Sequence, residues 1–358
     1  MLIARAPLRI SFAGGGTDLE AYHARYGGLV VSATINRYFY VIFTRTIDDA
    51  VQITSADFRT FERRASGCVL SPEGELGYLK SILHEFGVTK GLSVFTASEI
   101  PPGTGLGSSS TVAVAMIKAL ATLCDRRASK QEIAELASFI EIRKLGRPIG
   151  LQDQFAASFG GLNVIEFGAD GTTVTPLRLP LERRDQLERS ILLFYTGSSR
   201  NAATILSEQR RSSEKDDPRV IENLHGIKRD ALEVRQALLE GRLRRVGEIL
   251  HDSWQRKKQL AAGVSNERID QLYRIALEHG AVGGKLAGAG GGGFLLLYCE
   301  QDCQNEVTTA LEEEGLTRMT FHFDDGGAQV LVNSLPDVPG LVYPEGRWSV
   351  PGTAFAPA

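Results

Sequence analysis

Short apolar-rich runs, broken by turn residues, open the chain. Residues 2–6, 9–13, 29–35 and 38–44 are rich in Ile, Val, Phe and Tyr and bounded by Gly, Pro or Asn, the pattern of strands separated by turns. Residues 92–96 read as a further strand. After a glycine- and serine-rich loop, residues 111–120 form a small-residue apolar helix expected to be buried on most sides. A second helix begins at Ser129, where Glu132 completes a capping box. It carries Ile133, Leu136, Ala137 and Ile140 on one face until Gly146 and Pro148 stop it. Strands near 162–167 and 191–195 follow, and 177–189, rich in Pro, Arg and Asp, is the expected crossing between domains. From about Val220 the spacing turns helical: Ile221, Leu224, Ile227 and Leu232, then Leu243, Val246, Ile249, Leu250 and Trp254, then Ile269, Leu272, Tyr273 and Ala276. The end returns to strands at 294–298, 319–323 and 329–333, with a helix near 305–314, so the second domain reads as α+β. The proline-rich tail, 339–358, is expected to wrap the surface or fray.

At 358 residues the chain suits two domains, which implies a cleft. A hydrophobic share of 43% with 23% charged residues supplies two sizeable cores. Net charge is −3 with no run of like charges, which argues against nucleic-acid or membrane-surface partners and for a compact polar substrate. Pro7 and nearby charges interrupt the apolar stretch a signal peptide needs, and no run reaches membrane-spanning length, so a cytoplasmic protein is expected. Cys68, Cys124, Cys299 and Cys303 are too few and scattered for a disulfide framework and read as free thiols.

Three glycine clusters carry the candidate chemistry. Pro101-Pro102-Gly103-Thr104-Gly105-Leu106-Gly107-Ser108-Ser109-Ser110 sets flexible backbone before three hydroxyl residues at a helix start. Unpaired N–H groups and the positive dipole end suit a phosphate there, while a serine-capped helix after a flexible loop is the structural alternative. No lysine followed by Ser or Thr closes a Walker A loop, and Ser110 replaces the last glycine of a dinucleotide fingerprint. The second cluster, 283–293, holds a formal GxGxxG at Gly288, Gly290 and Gly293, but it runs from helix to strand, the reverse of a dinucleotide site. So many glycines favour close approach of backbone to a ligand over simple connection. The third, Arg9-Ile10-Ser11-Phe12-Ala13-Gly14-Gly15-Gly16-Thr17-Asp18, reads equally as a glycine turn with Asp18 capping the next helix or as a site.

In this order and at these separations the clusters resemble the three motifs of the GHMP kinases, the family of galactokinase, homoserine kinase, mevalonate kinase and phosphomevalonate kinase. The match spans nearly the whole chain. Within the family, residues 6–19 and Gly150-Leu151-Gln152-Asp153-Gln154 most resemble the D-glycero-D-manno-heptose 7-phosphate kinases. Those enzymes phosphorylate the anomeric hydroxyl to give the 1,7-bisphosphate, a precursor of nucleotide-activated heptose for surface polysaccharide. The resemblance implies a two-domain α+β fold, with an N-terminal domain over 1–180 similar to the second domain of ribosomal protein S5. A ferredoxin-like domain over 181–338 and the tail 339–358 would follow, with the active site between the domains. It also implies ATP as co-substrate, Mg2+ as cofactor and a sugar phosphate as acceptor; the oligomeric state stays open, a homodimer being one option.

Residue by residue, the resemblance makes Pro102, Gly103, Thr104, Gly105, Leu106, Gly107, Ser108, Ser109 and Ser110 the ATP loop. Phosphoryl transfer asks a protein mainly to position groups and neutralise phosphate charge. Magnesium needs few protein oxygens, and Glu141, at the edge of its helix's apolar face, is expected to hold it with Ser109, Ser108 being the close second. Asp153 matches the family's acidic catalytic residue and is expected to take the sugar hydroxyl proton. Arg9 matches a basic residue that pairs with this aspartate; it would hold Asp153 ionised and, as an arginine, act only electrostatically. Asp18 and its neighbour Thr17 match the sugar-binding acid, and Gly290 and Gly291 are assigned to the substrate. Arg200 and Lys257 are candidates for a cationic pocket around the 7-phosphate. Another sugar 1-kinase, such as a fucokinase, shares these motifs. A non-catalytic sensor on the same fold is a reading of a different class, against which Glu141 and Asp153 count. A decarboxylase of the superfamily is disfavoured by the intact Gly14–Asp18 pattern.

Overall fold

The computed structural model describes residues 1–197, 202–336, 338 and 340–345. Arg200 and most of the proline-rich tail lie outside the described residues. The first part of the chain runs β1 (Leu2–Ala13), α1 (Glu20–Tyr26), β2 (Gly28–Arg45), β3 (Val51–Ser55), β4 (Thr60–Arg64), α2 (Gly77–Glu85) and β5 (Leu92–Ser98). Next come α3 (Ser108–Leu123), α4 (Lys130–Ser138), a π-helical turn (Phe139–Lys144), α5 (Gln152–Phe159), β6 (Leu162–Gly168) and β7 (Gly171–Pro176). The second part holds α6 (Leu181–Ser190), β8 (Ile191–Tyr195), α7 (Ala202–Glu214), α8 (Pro218–Glu240), α9 (Leu243–Lys257) and α10 (Glu267–Glu278). It ends with β9 (Ala281–Leu286), β10 (Phe294–Cys299), α11 (Gln304–Glu313), β11 (Thr317–Met319) and β12 (Gln329–Asn333).

One sheet runs β12-β1-β2-β5-β3-β4, with β6 pairing to β2 and β7 to β6. The turn signals at Pro7 and Asn36 do not break its strands, contrary to expectation. Pro7 faces Tyr38 and Leu8 faces Ile35, so Asn36 and Arg37 bulge out of β2, the arrangement that tolerates a proline inside a sheet. The bulge has a use: Asn36 N–H donates to His322 O and Asn36 Oδ1 accepts from His322 N–H, docking the later chain. The strand at 329–333, expected in the second domain, instead pairs with β1 as an edge of this first sheet. The expected crossing at 177–189 is mostly helix α6, leaving the few residues after β7 to make the connection.

The second sheet, β11-β8-β10-β9, is antiparallel throughout. Its spatial order by occurrence is fourth, first, third, second, the ferredoxin-like arrangement, with α7 to α10 inserted between β8 and β9. One apolar core joins the sheets: Leu8, Ile10 and Val31 pack with Leu193 and Leu296, and Val234 of α8 and Leu250 of α9 fill the space between. The back of the cleft is therefore continuous hydrophobic packing. A separate core buries α3, with Val114, Met116 and Ile117 against Val41, Phe43 and Val94. The capping box at Ser129 forms as expected, Ser129 Oγ accepting from Glu132 N–H and Glu132 accepting from Ser129 N–H, a device that stabilises a helix start by about 1 kcal/mol.

Candidate active site

Two of the glycine clusters meet backbone to backbone. The 101–107 loop links β5 to α3, and residues 287–293 link β9 to β10. A Cβ on Gly105 would lie 2.4 Å from Ala287 O, and one on Gly293 would lie 2.2 Å from Thr104 O. Phe294 N–H donates to Thr104 O at 3.1 Å. Only glycine allows this approach, which fixes one loop over the other. Between them, Gly103, Gly105, Gly107 and Ser108–Ser110 on one side and Gly288, Gly290 and Gly292 on the other line a cavity of about 160 Å3. The first-turn N–H groups of α3 open towards it, the arrangement that binds anions at helix starts. Not all of the predicted loop faces the cavity. Thr104 and Leu106 are fully buried, Thr104 Oγ1 donating to Pro101 O and Leu106 O accepting from Arg9 N–H, so they hold the loop's shape. Pro102 lines an adjoining cavity.

Arg9, on β1, and Asp153, at the start of α5, come together as expected. Arg9 Nε donates to Asp153 Oδ1 at 2.7 Å, Nη2 lies 2.6 Å from the same oxygen, and Nη1 donates to Gly105 O at 2.6 Å. Burial is the largest influence on the Asp153 pKa; Arg9 opposes it, favouring the ionised form in the expected sense, but with Asp18 adding to burial the net direction is upward. That is the direction a proton acceptor needs.

Glu141 sits within the π-helical turn, fully buried rather than at a helix edge. The wider turn, in which Leu145 N–H reaches back to Ile140 O, rotates Glu141 inwards, and such turns recur at functional sites. Gln154 Nε2 donates to Glu141 Oε2 at 2.6 Å and to Ser110 Oγ at 3.2 Å. Arg147 Nη1 donates to Glu141 Oε1 at 3.1 Å and to Ser109 Oγ at 2.8 Å, with its guanidinium 3.8 Å above the Tyr78 ring. A carboxylate, a hydroxyl and the unpartnered buried Gln154 Oε1 are hard oxygen donors, which fit Mg2+. Among the described residues no cluster of three His, Cys, Asp or Glu offers a metal site, so the remaining ligands of such an ion would be phosphate oxygens and water.

Asp18 lines the main cavity, its Oδ1 accepting from Gly16 N–H and Oδ2 from both nitrogens of Gln152. Thr17 does not reach the cavity. It is fully buried, its hydroxyl donating to Gly14 O at 2.7 Å, with Leu29 O the longer alternative acceptor, and accepting from Leu29 N–H, so it braces the turn behind Asp18. Gly290 lines the cavity, but the Gly291 N–H is taken by Val264 O at 2.9 Å, and Gly292 stands at the wall in its place. Lys257 extends from the end of α9 to the carbonyls of Leu286 and Gly288, beside the buried Lys285. Lys285, Gln152, Gln154 and Arg147 all stand in the site without having been singled out. Lys285 was legible as the sole charge in its glycine cluster, whereas Arg147 lay in a segment read only as a helix stop.

A larger apolar cavity of about 420 Å3 adjoins the loop, walled by Phe39, Phe58, Tyr78, Leu79, Val112 and Leu206. The buried and unpartnered Asp57 Oδ2 and Thr96 Oγ1 belong to residues on its wall. Apolar walls with a few polar atoms suit a flat heteroaromatic base. The chemistry this arrangement can perform is to hold a polyphosphate at the start of α3 and to take a proton from a hydroxyl beside it, the work of a nucleotide-dependent phosphotransferase.

Known proteins agree. Residues 76–161 match the family model described as GHMP kinases N terminal domain, and 234–316 match that described as GHMP kinases C terminal. The chain is 34% identical over 331 residues to the D-glycero-alpha-D-manno-heptose 7-phosphate kinase of Campylobacter jejuni subsp. jejuni serotype O:2, covering 91% of this chain and 97% of that one. The crystal structure of a D-glycero-D-manno-heptose 1-phosphate kinase from Bacteroides thetaiotaomicron is similar, with a TM-score of 0.77, 31% identity, and coverage of 93% and 99% of the two chains. A sugar kinase structure from Campylobacter jejuni, described as putative, has a TM-score of 0.75 at 33% identity, covering 92% and 97%. The chain belongs to the GHMP kinases. It is a kinase, and ATP is its co-substrate.

Proposed function

We propose that this protein transfers the γ-phosphoryl group of ATP to the anomeric hydroxyl of D-glycero-D-manno-heptose 7-phosphate, giving the 1,7-bisphosphate and ADP. The observation that carries the reading is the Arg9–Asp153 pair, which lines the same cavity as the Ser108–Ser110 helix start. The base occupies the apolar cavity and the phosphates lie along Gly103–Ser110. Asp153 accepts the hydroxyl proton as the sugar oxygen forms its bond to the γ-phosphorus and the bond to the β–γ bridging oxygen breaks. Arg9 fixes the carboxylate and offers positive charge to the transferred group. Asp18 accepts from sugar hydroxyls. Mg2+, held by Ser109 and Glu141, would supply neutralisation of phosphate charge. The cytoplasm, where ATP and sugar phosphates are found together, is the proposed site of action.

The test is ATP consumption with heptose 7-phosphate, free heptose, fucose and galactose in parallel. Turnover is expected to favour heptose 7-phosphate, and Asp153→Ala should lose on the order of 10²–10⁴ in kcat. Turnover on fucose alone would overturn the acceptor, and an unimpaired Asp153→Ala enzyme would overturn the base.

A further inference from the structure

Lys285 is 5% exposed, and its Nζ makes no hydrogen bond or ion pair with any described residue. A lysine so deeply buried normally has a partner, because an unpaired buried charge is costly. Lys257 Nζ beside it is tethered to the Leu286 and Gly288 carbonyls, which leaves one of its three N–H donors for another acceptor. Both lysines line a small chamber with Arg9, Ser11, Gly15 and Gln152. Ser11 Oγ is buried there without a partner.

The local charges do not balance. Arg9 is committed to Asp153 and Gly105 O, and both Asp18 oxygens already accept backbone or amide N–H groups. The two lysine head groups therefore line one chamber with no carboxylate in hydrogen-bond or ion-pair contact, Asp18 acting on both only from further away. Burial and then Arg9 hold the Lys257 pKa down to about 8, and burial, then Lys257 and Arg9, hold that of Lys285 well below its usual value; Asp18 opposes both shifts without reversing them. A dianion in the chamber would relieve both.

The chamber's place along the site says which anion. The apolar cavity and the phosphate cavity share Gly103, Ser108 and Ser109, and the phosphate cavity and the chamber share Arg9, Gln152 and Gly288. Base, phosphates, reacting hydroxyl and chamber thus lie in series. We infer that the chamber receives the phosphate monoester at the far end of the acceptor, with Lys257 and Lys285 as its cationic ligands. The inference rests on the proposed function and deepens it by naming the chamber and the two lysines that hold the acceptor's 7-phosphate. At about 20 Å3 the chamber holds roughly one water, so admitting a tetrahedral anion requires the lysine side chains to move outward.

The experiment uses the full chain with Lys285→Met, Lys257→Met and Lys285→Arg, each checked for folding by circular dichroism. For Lys285→Met and Lys257→Met, KM for heptose 7-phosphate should rise on the order of 10- to 100-fold, the loss expected for a charge-assisted contact, with KM for ATP within about twofold. The preference for heptose 7-phosphate over free heptose should shrink by the same factor, and Lys285→Arg should recover part of it. Inorganic phosphate should compete with the acceptor, and its binding, read by calorimetry, should weaken in both methionine variants. A rise in KM for ATP, or a fall in kcat with acceptor KM unchanged, would overturn the assignment in favour of a nucleotide or proton-transfer role. Phosphate binding that ignores all three substitutions would also overturn it. If the wild type turned over no sugar, the proposed function would fall while the phosphate titration still decided the chamber.

Discussion

Arg147 Nη1 lies 3.1 Å from Glu141 Oε1 and 2.8 Å from Ser109 Oγ, so an arginine bridges the two side chains proposed to hold the metal. Burial raises the Glu141 pKa and Arg147 is the first influence opposing it. Without a cation, a carboxylate with no solvent exposure would be left uncompensated. A divalent ion entering between Ser109 and Glu141 therefore competes with Arg147. Arg147→Ala is expected to tighten Mn2+ binding to the nucleotide-free enzyme by roughly tenfold, the consequence of about 1.4 kcal/mol less competition. Electron paramagnetic resonance of free Mn2+ reads this directly, and Glu141→Gln should abolish the gain. An affinity indifferent to Arg147 would refute the competition.

Asp153 must be ionised to accept a proton. Burial, the largest influence, and Asp18 raise its pKa, while Arg9 lowers it, so kcat/KM should fall on the acid side with an apparent pKa above that of an ordinary aspartate. Arg9→Met removes the lowering partner and should move the acid limb of the profile to higher pH. Arg9→Lys, which keeps a charge, should move it less. A limb that stays in place in Arg9→Met would mean that another group titrates there.

What the sequence made legible was whatever repeats locally. Ile221, Leu224 and Ile227, and Leu243, Val246 and Leu250, announce α8 and α9 because their spacing is helical, and the Ser129–Glu132 box announces α4. Arg9 and Asp153 pair as the family pattern implied, and Glu141 stands beside the serine loop, linked to Ser109 and Ser110 through Arg147 and Gln154. The misses are long-range or subtle. Pairing of Leu2 with Asn333 is set by the closing of the whole fold, and no local period encodes it. The π-helical turn differs from an α-helix by one extra residue, which is enough to bury Glu141. The β3–β4 hairpin escaped because its polar residues hide the alternation of Val51, Ile53 and Ser55.

His23 offers a stability prediction away from the chemistry. Both ring nitrogens are buried without partners, and burial, with a smaller lowering from Arg143, outweighs the raising by Glu20 to bring the pKa from 6.5 down to about 4. Above pH 6.5 the ring is neutral folded or unfolded. Below it the unfolded chain takes a proton that the folded chain refuses until about pH 4, so stability is lost progressively across that window, by roughly 3 kcal/mol in all. His23→Leu should remove that share of the acid sensitivity, seen as a flatter plot of urea midpoint against pH between 6.5 and 4. An unchanged slope would assign the acid loss to other groups.

Gly105 joins fold and function most tightly. Its φ is +86° and a Cβ there would meet Ala287 O at 2.4 Å, so Gly105→Ala strains its own backbone and pries apart the two loops that wall the phosphate cavity. Gly146 is the control, because its φ is also positive, +63°, but a Cβ there would meet nothing within 4 Å. Gly146→Ala should therefore cost about 1 kcal/mol, the left-handed penalty alone. Gly105→Ala should cost on the order of 3 kcal/mol, since strain and overpacking add. It should also weaken ADP binding at temperatures where it remains folded, because Gly105 O no longer holds Arg9 Nη1 in place. Urea unfolding and ADP titration of the two variants side by side separate the contributions: equal losses in both would mean that the contact between the loops contributes nothing beyond backbone conformation.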